Sequence, residues 1–326
     1  MIRIVLLLSL LSVPVMAANI LVIESYHAEF GWDAGYRKGL IESLTPEHEL
    51  TFFEMDTKRI PSREYENRAE LAHQAYLQLK PDLVVVGDDN ALSYMLPKLY
   101  QEPIPIVFLG INSNPRELLT QYSGKAGVTG VLERPFFTKT MAGIGEVFDS
   151  PNTKPKVLIM FDSGNTSKIA VRTIENQVPL IKQNLGIEAH VITLSTERAW
   201  HDAVMNAPRN GVSAIVVGLF QTLINSNGES VSSEALLDWT SKNSSVPLFG
   251  FWDFSIGKGK AAGGVILDGR SQGKQAGNIA REILEKGLDA STVPIQAGHQ
   301  GMDVYSPEEF KRLGLTPPNG WKAVEW

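Results

Sequence analysis

The 326-residue chain contains no cysteine, so it can form neither a disulfide nor a lipid-bearing amino-terminal cysteine. It has no run of lysine and arginine, and its 36 acidic residues outnumber 30 basic ones for a net charge of -6. That balance argues against nucleic acid as a partner. Six scattered histidines without a cysteine give no metal-ligand spacing. The glycines at Gly87, Gly110 and Gly164 are single, not the phosphate-cradling pattern of a nucleotide site. No cofactor and no metal are expected.

After residue 17 no stretch is long and apolar enough to cross a bilayer. What stands before it reads as an export signal. Arg3 supplies the charge, Ile4 to Val15 the apolar core, and Val15-Met16-Ala17 the residues before a cut ahead of Ala18. Residues 1–17 are thus expected to be a cleavable signal peptide, and the mature chain a soluble bacterial periplasmic protein without a lipid anchor.

The chain is organised around Asp82-Leu83-Val84-Val85-Val86-Gly87-Asp88-Asp89-Asn90. An apolar, β-branched run predicts a strand buried on both faces of a parallel sheet. The polar cluster after it falls where open α/β sheets bind ligands, although Asp and Asn are also the residues that cap a helix start. Other strands end similarly: Asn19 to Glu24 before Ser25-Tyr26-His27, Ile104 to Ile111 before Asn112, Lys156 to Phe161 before Asp162, and Pro247 to Phe251 before Trp252-Asp253. Strands alternating with helices predict doubly wound parallel sheets, and the pattern restarts after a break at Pro151 to Pro155. The expected architecture is therefore α/β, with two Rossmann-like lobes joined by a hinge. The first would hold residues 18–132 plus 264–288, and the second 133–263 plus 289–326. Three crossings between lobes would let a cleft close on a ligand.

The run Gly259-Lys260-Ala261-Ala262-Gly263-Gly264-Val265 through Gly273-Lys274-Gln275-Ala276-Gly277-Asn278-Ile279-Ala280 carries a family resemblance. So do Ser25-Tyr26-His27 with Trp32, Met55-Asp56-Thr57-Lys58-Arg59, Gly87 to Leu92, and Phe108 to Asn112. From about Asn19 to Leu315 the chain resembles ABC-transporter-type substrate-binding proteins related to tryptophan and tyrosine binders, with the type I periplasmic binding fold. The resemblance implies a non-enzymatic protein that captures a small molecule for an ABC permease. In one branch of the family the same module is the input of sensor kinases and cyclic-dinucleotide enzymes, so a membrane-bound sensor is the alternative partner. The chain ends at Trp326 without a signalling domain, and either partner is expected to be a separate protein.

The residues fit a binding cleft better than a catalytic centre. Ser25 and His27 lie two apart and would point to opposite sides of a strand, which makes a nucleophile–base pair improbable. Asp88, Asp89 and Asp162 could hold a metal, but no ligand spacing supports it. The cleft is expected to bring Ser25, Tyr26, Asp88, Asp89, Asn90 and Asn112 from one lobe to face Asp162, Asn165, Thr166, Phe220, Trp252 and Asp253 from the other. Aromatic walls and polar ends suit a small organic ligand. Donors around Ser163 to Ser167, at a helix start, suit a carboxylate, and Asp88 or Asp89 an ammonium group. With the resemblance, these point to an amino acid or similar zwitterion. Phe220, Trp252 and Trp32 could equally be packing residues, and His27 a hydrogen-bonded structural one. Lys58 and Arg59 could pair with Asp56 or Glu54, or face a membrane partner; the sequence leaves both open.

Overall fold

A computed structural model describes residues 17–148, 154–298 and 301–325. The expected export signal lies outside them apart from Ala17, as do residues 151–153 of the expected break.

The first half alternates β1 (Asn19–Glu24), α1 (Gly31–Leu44), β2 (Glu49–Glu54), α2 (Tyr65–Leu79), β3 (Leu83–Gly87), α3 (Asp88–Leu99), β4 (Pro105–Ile111), α4 (Arg116–Gln121) and β5 (Gly127–Leu132). The second continues with α5 (Phe137–Val147), β6 (Lys156–Asp162), α6 (Asn165–Glu175), α7 (Val178–Leu185), β7 (Glu188–Leu194), α8 (Glu197–Asn206), β8 (Ala214–Val217), α9 (Ser233–Asn243), β9 (Leu248–Gly250) and β10 (Gly263–Ile266). The remainder is α10 (Gly269–Lys286), β11 (Gln296–Ala297), β12 (Met302–Tyr305), α11 (Pro307–Leu313) and β13 (Lys322–Ala323).

Two sheets result, in the orders β11-β5-β4-β3-β1-β2 and β13-β12-β10-β9-β8-β6-β7. Every pairing is parallel except that of β10 with β12. Central strands carry continuous apolar runs because helices cover both faces: β3 is buried throughout, and so is β4 after Pro105. The edge strands β2 and β7 are instead only partly covered. One buried cluster runs from Val22 and Val85 through Phe137, Phe251 and Trp252 to Phe161 and Val216, so the cores of the two lobes are continuous.

The chain passes between lobes after β5, between β10 and α10, and after β11. This differs from the partition expected from sequence. Gly263–Ile266 does not return to the first lobe, because it is hydrogen-bonded between β9 and β12 in the second sheet. The return starts with α10, which packs along α1, and Gln296–Ala297 then pairs with β5 on the open edge of the first sheet. Asp268 caps α10 by accepting from the Ser271 amide over 2.8 Å. The α1–α10 seam depends on glycine. A Cβ on Gly39 would sit 2.1 Å from the Arg270 carbonyl oxygen, and one on Gly273 would sit 2.2 Å from that of Tyr36.

Candidate functional site

The carboxyl ends of both sheets open onto one cavity of ≈ 70 Å³. That is where parallel strands stop and hand the chain to loops free to present side chains. Tyr26 follows β1, Lys58 follows β2, Asp88 opens α3, Asn112 follows β4, Glu133 follows β5, and Phe30 and Trp32 flank the start of α1. Facing them from the second lobe are Asp162, the α6 start from Gly164 to Ser167, Leu219, Gln221 and Thr222 after β8, and Trp252 and Phe254 after β9.

The first lobe contributes a carboxyl pole. Asp88 has a left-handed backbone (φ 74°), uncommon for a residue with a side chain, and only 3% of its surface is exposed. Its Oδ1 accepts from the Tyr26 hydroxyl at 3.0 Å and the Asp89 amide at 3.1 Å. Burial, reinforced by the neighbouring Asp89 charge, pushes its pKa up to about 7. Glu133, also buried, accepts from the Trp252 indole at 2.6 Å through Oε1 and from Asn112 Nδ2 at 3.0 Å through Oε2. Burial and then the Asp88 charge raise it well above the usual carboxylate range. Behind them Asp33, fully buried and bonded to the Tyr36 hydroxyl at 2.8 Å, is raised for the same two reasons. Among the described residues these carboxyls do not form a metal-ligand group.

Opposite lies a donor pole. Both oxygens of Asp162 are occupied: Oδ1 accepts from the Gly164 amide at 2.9 Å and the Ser167 hydroxyl, and Oδ2 accepts from the Thr222 amide at 3.0 Å. Asp162 therefore shapes the loop that begins α6. No side chain caps that helix start, which leaves its first amides without an intrahelical partner, and Asn165, Thr166 and Ser167 line the cavity. Among the described residues, two buried atoms of the cavity lining have no hydrogen-bond partner, the Trp32 indole Nε1 and the Asn112 Oδ1. Both residues line the cavity, one supplying a donor and the other an acceptor.

Aromatic rings close the sides. Tyr26 meets Phe30 edge to face at 5.3 Å between centroids, and Trp252 stacks on Phe254 at 6.1 Å. Lys58 lines the cavity, although much of its surface is exposed. Its Nζ lies 4.4 Å from the Tyr26 ring centroid and 4.1 Å from that of Phe30. Burial lowers its pKa, while the charges of Asp88, Asp33, Asp162 and Glu133 hold it up.

Of the residues expected to contact a ligand, the structure gathers Tyr26, Asp88, Asn112, Asp162, Asn165, Thr166 and Trp252 around this cavity. Ser25, Asp89, Asn90, Phe220 and Asp253 stand apart from it. The Ser25 hydroxyl donates to the Gly87 carbonyl at 2.7 Å and accepts from the Ala91 amide at 2.8 Å, so it fastens β1 to the start of α3. Asp89 turns away and accepts from the Asn112 and Ser113 amides, each at 3.0 Å. Asn90 donates to the Thr57 hydroxyl at 2.9 Å. Phe220 is buried between Trp200 and Phe254, and Asp253 borders a separate outer groove of ≈ 570 Å³. Its carboxyl, accepting from the Phe254 amide at 2.8 Å, is pushed by burial up to about 7. The expectation missed Glu133, Phe30 and Phe254, and Lys58, whose use the sequence leaves open, lines the cavity.

A family model described as ABC transporter substrate binding protein matches residues 36–320. No curated protein matches in sequence. Among solved structures, the chain is similar to an ABC domain from Streptococcus pneumonia in complex with L-Trp, at 16% identity and TM-score 0.66, over 94% of this chain and 100% of that one. It is also similar to a ligand-free, open substrate binding protein with adhesive properties from Clostridium difficile, at 14% identity and TM-score 0.65, over 95% and 99%. An ABC transporter solute binding protein from Bacillus halodurans with bound myo-inositol aligns at 13% identity and TM-score 0.56, over 92% and 98%. At such identities the likeness is one of fold, and it is the two-lobed α/β fold expected from the sequence.

Proposed function

The chain belongs to the ABC transporter substrate binding protein family, and from that premise we propose that it captures an amino acid or similar small zwitterion for an ABC permease. One observation carries this reading. One of the cavities between the lobes has carboxyls at one pole, the helix start of α6 at the other, and aromatic walls between them. Asp88 and Glu133 would take the ligand's ammonium group, whose charge offsets part of the cost of burying these carboxyls. The amides and hydroxyls from Asn165 to Ser167 would take its carboxylate. Trp32 Nε1 and Asn112 Oδ1 would gain the partners they lack, and satisfying buried polar atoms favours the bound state.

Because the two poles sit on different lobes, a ligand touching both favours the closed arrangement over the open one. The proposed location is the periplasm, and among the described residues no helix is long and apolar enough to cross a membrane. No step in this function breaks a covalent bond, and the ligand should be recovered unchanged.

The test is a thermal-shift and calorimetric screen of the chain from Ala18 onward against amino acids, sugars, purines and simple amines. Stabilisation confined to amino acids or close analogues is expected, since binding to the native state raises its melting temperature. A response to neutral sugars alone would refute the zwitterion assignment.

A further inference from the structure

The backbone around Lys58 is pinned with unusual thoroughness for a surface loop. The Thr57 amide donates to the Ser25 carbonyl at 2.9 Å, and its hydroxyl donates to the same carbonyl at 2.7 Å. The Thr57 carbonyl accepts from the Tyr65 hydroxyl at 2.6 Å, and Asp56 before it holds a left-handed turn (φ 58°). Arg59 turns outward, paired with Asp56 at 2.7 Å and with Glu29 at 3.6 Å. Lys58 turns inward. Among the described residues it forms no ion pair, and its ammonium rests on the Tyr26 and Phe30 rings.

Two positive features therefore meet at one cavity from opposite lobes, the Lys58 ammonium and the uncapped start of α6. Carboxylates of Asp88, Glu133 and Asp162 stand near them, yet an anionic ligand group placed between Lys58 and the α6 start would meet both positive features at once. We propose that Lys58 is the specificity-determining residue that selects ligands bearing an anionic group, holding that group against the amides of α6. The inference rests on the proposed function and adds the first lobe's share of anion recognition to it. The aromatic cradle fixes where the ammonium stands before the ligand arrives, which limits the side-chain entropy lost on binding. A zwitterion is then read twice, its ammonium by Asp88 and Glu133 and its anion by Lys58 and α6.

The experiment measures affinity for each amino acid and for its decarboxylated amine, by calorimetry, in the wild type and in Lys58→Met, Lys58→Gln and Lys58→Arg. For the amino acid that binds the wild type, the amine is expected to bind about tenfold or more weakly, since a charge-assisted contact is lost. In Lys58→Met and Lys58→Gln the amino acid should lose most of that advantage while the amine changes by less than about threefold, and Lys58→Arg should restore discrimination in part. Apo melting temperatures check that each variant is folded, and the arginine variant, which keeps the charge, guards against a general packing defect. An amino acid-to-amine ratio unchanged in Lys58→Met and Lys58→Gln overturns the role of Lys58 and leaves the proposed function standing. Wild-type protein that binds the amine as tightly as the amino acid overturns it too. If no amino acid binds the wild type at all, the proposed function falls and this inference falls with it.

Discussion

The indole nitrogen of Trp252 donates to Glu133 Oε1 over 2.6 Å, tying the end of β9 to the first segment that leaves the first sheet. Both residues line the cavity and are almost fully buried. Trp252→Phe keeps an aromatic ring but leaves Glu133 one donor short. It should destabilise the protein by about 1–3 kcal/mol, the cost of an unsatisfied buried acceptor. Trp252→Ala also opens a cavity and should cost about 3–5 kcal/mol. Urea unfolding measures both, and a negligible loss for Trp252→Phe beside a large one for Trp252→Ala would mean that packing alone matters at this position.

Asp88 makes ligand-free stability depend on pH. Its folded pKa is about 7, whereas its ordinary value is 3.8, so the folded protein binds this proton more tightly than the unfolded chain does. The contribution to stability is full below about pH 4 and is lost as pH rises through about 7. Asp253, also near 7, acts in the same direction. Melting temperature without ligand should thus fall between pH 5 and pH 8, and Asp88→Asn should flatten the slope without abolishing it.

The same proton reports on capture. A ligand ammonium beside Asp88 favours the ionised carboxyl, so binding near pH 6.5 should release protons. Calorimetric titrations in two buffers of different ionisation enthalpy would then give different apparent heats. Identical heats would place the ammonium elsewhere.

Asp162 accepts from Gly164, Ser167 and Thr222 and so holds the α6 start in shape. Asp162→Ala should weaken amino-acid binding by about tenfold or more, because it disorders the amides proposed to hold the carboxylate. Asp89→Ala provides the contrast. That residue anchors the Asn112 and Ser113 amides from outside the cavity and should lower the melting temperature more than the affinity.

Gly39→Ala tests the α1–α10 seam. Its methyl group would press on the Arg270 backbone rather than on a movable side chain, and overpacking of this kind costs about 1–3 kcal/mol. Chemical denaturation would read the loss, and a variant of unchanged stability would show that the helices can separate freely.

The alternation of apolar runs with helical spacing made both sheets legible in the sequence, and polar residues at strand ends located Asp88, Asn112, Asp162 and Trp252. Ser25, Asp89 and Asn90 share that position yet serve the backbone, since short polar side chains bond readily to nearby turns. Nothing in sequence distinguishes the two uses. Glu133 could have been found by the same rule, because it directly follows β5. Lys58 could not, since only the folded loop shows which of two adjacent cations points inward. The sheet that Gly263–Ile266 joins was also hidden, as two glycines followed by Val265 and Ile266 fit either sheet equally well.

Because α10 lies against α1 while the strand before it belongs to the other lobe, neither lobe is a continuous piece of chain. A fragment ending at residue 132 would bare the glycine-lined face of α1 and the unpaired edge of β5, two surfaces that favour aggregation. The lobes are therefore bound to mature together: the first half must wait, incomplete, until residues 269–297 have left the ribosome, and folding of this chain acts on the whole length at once.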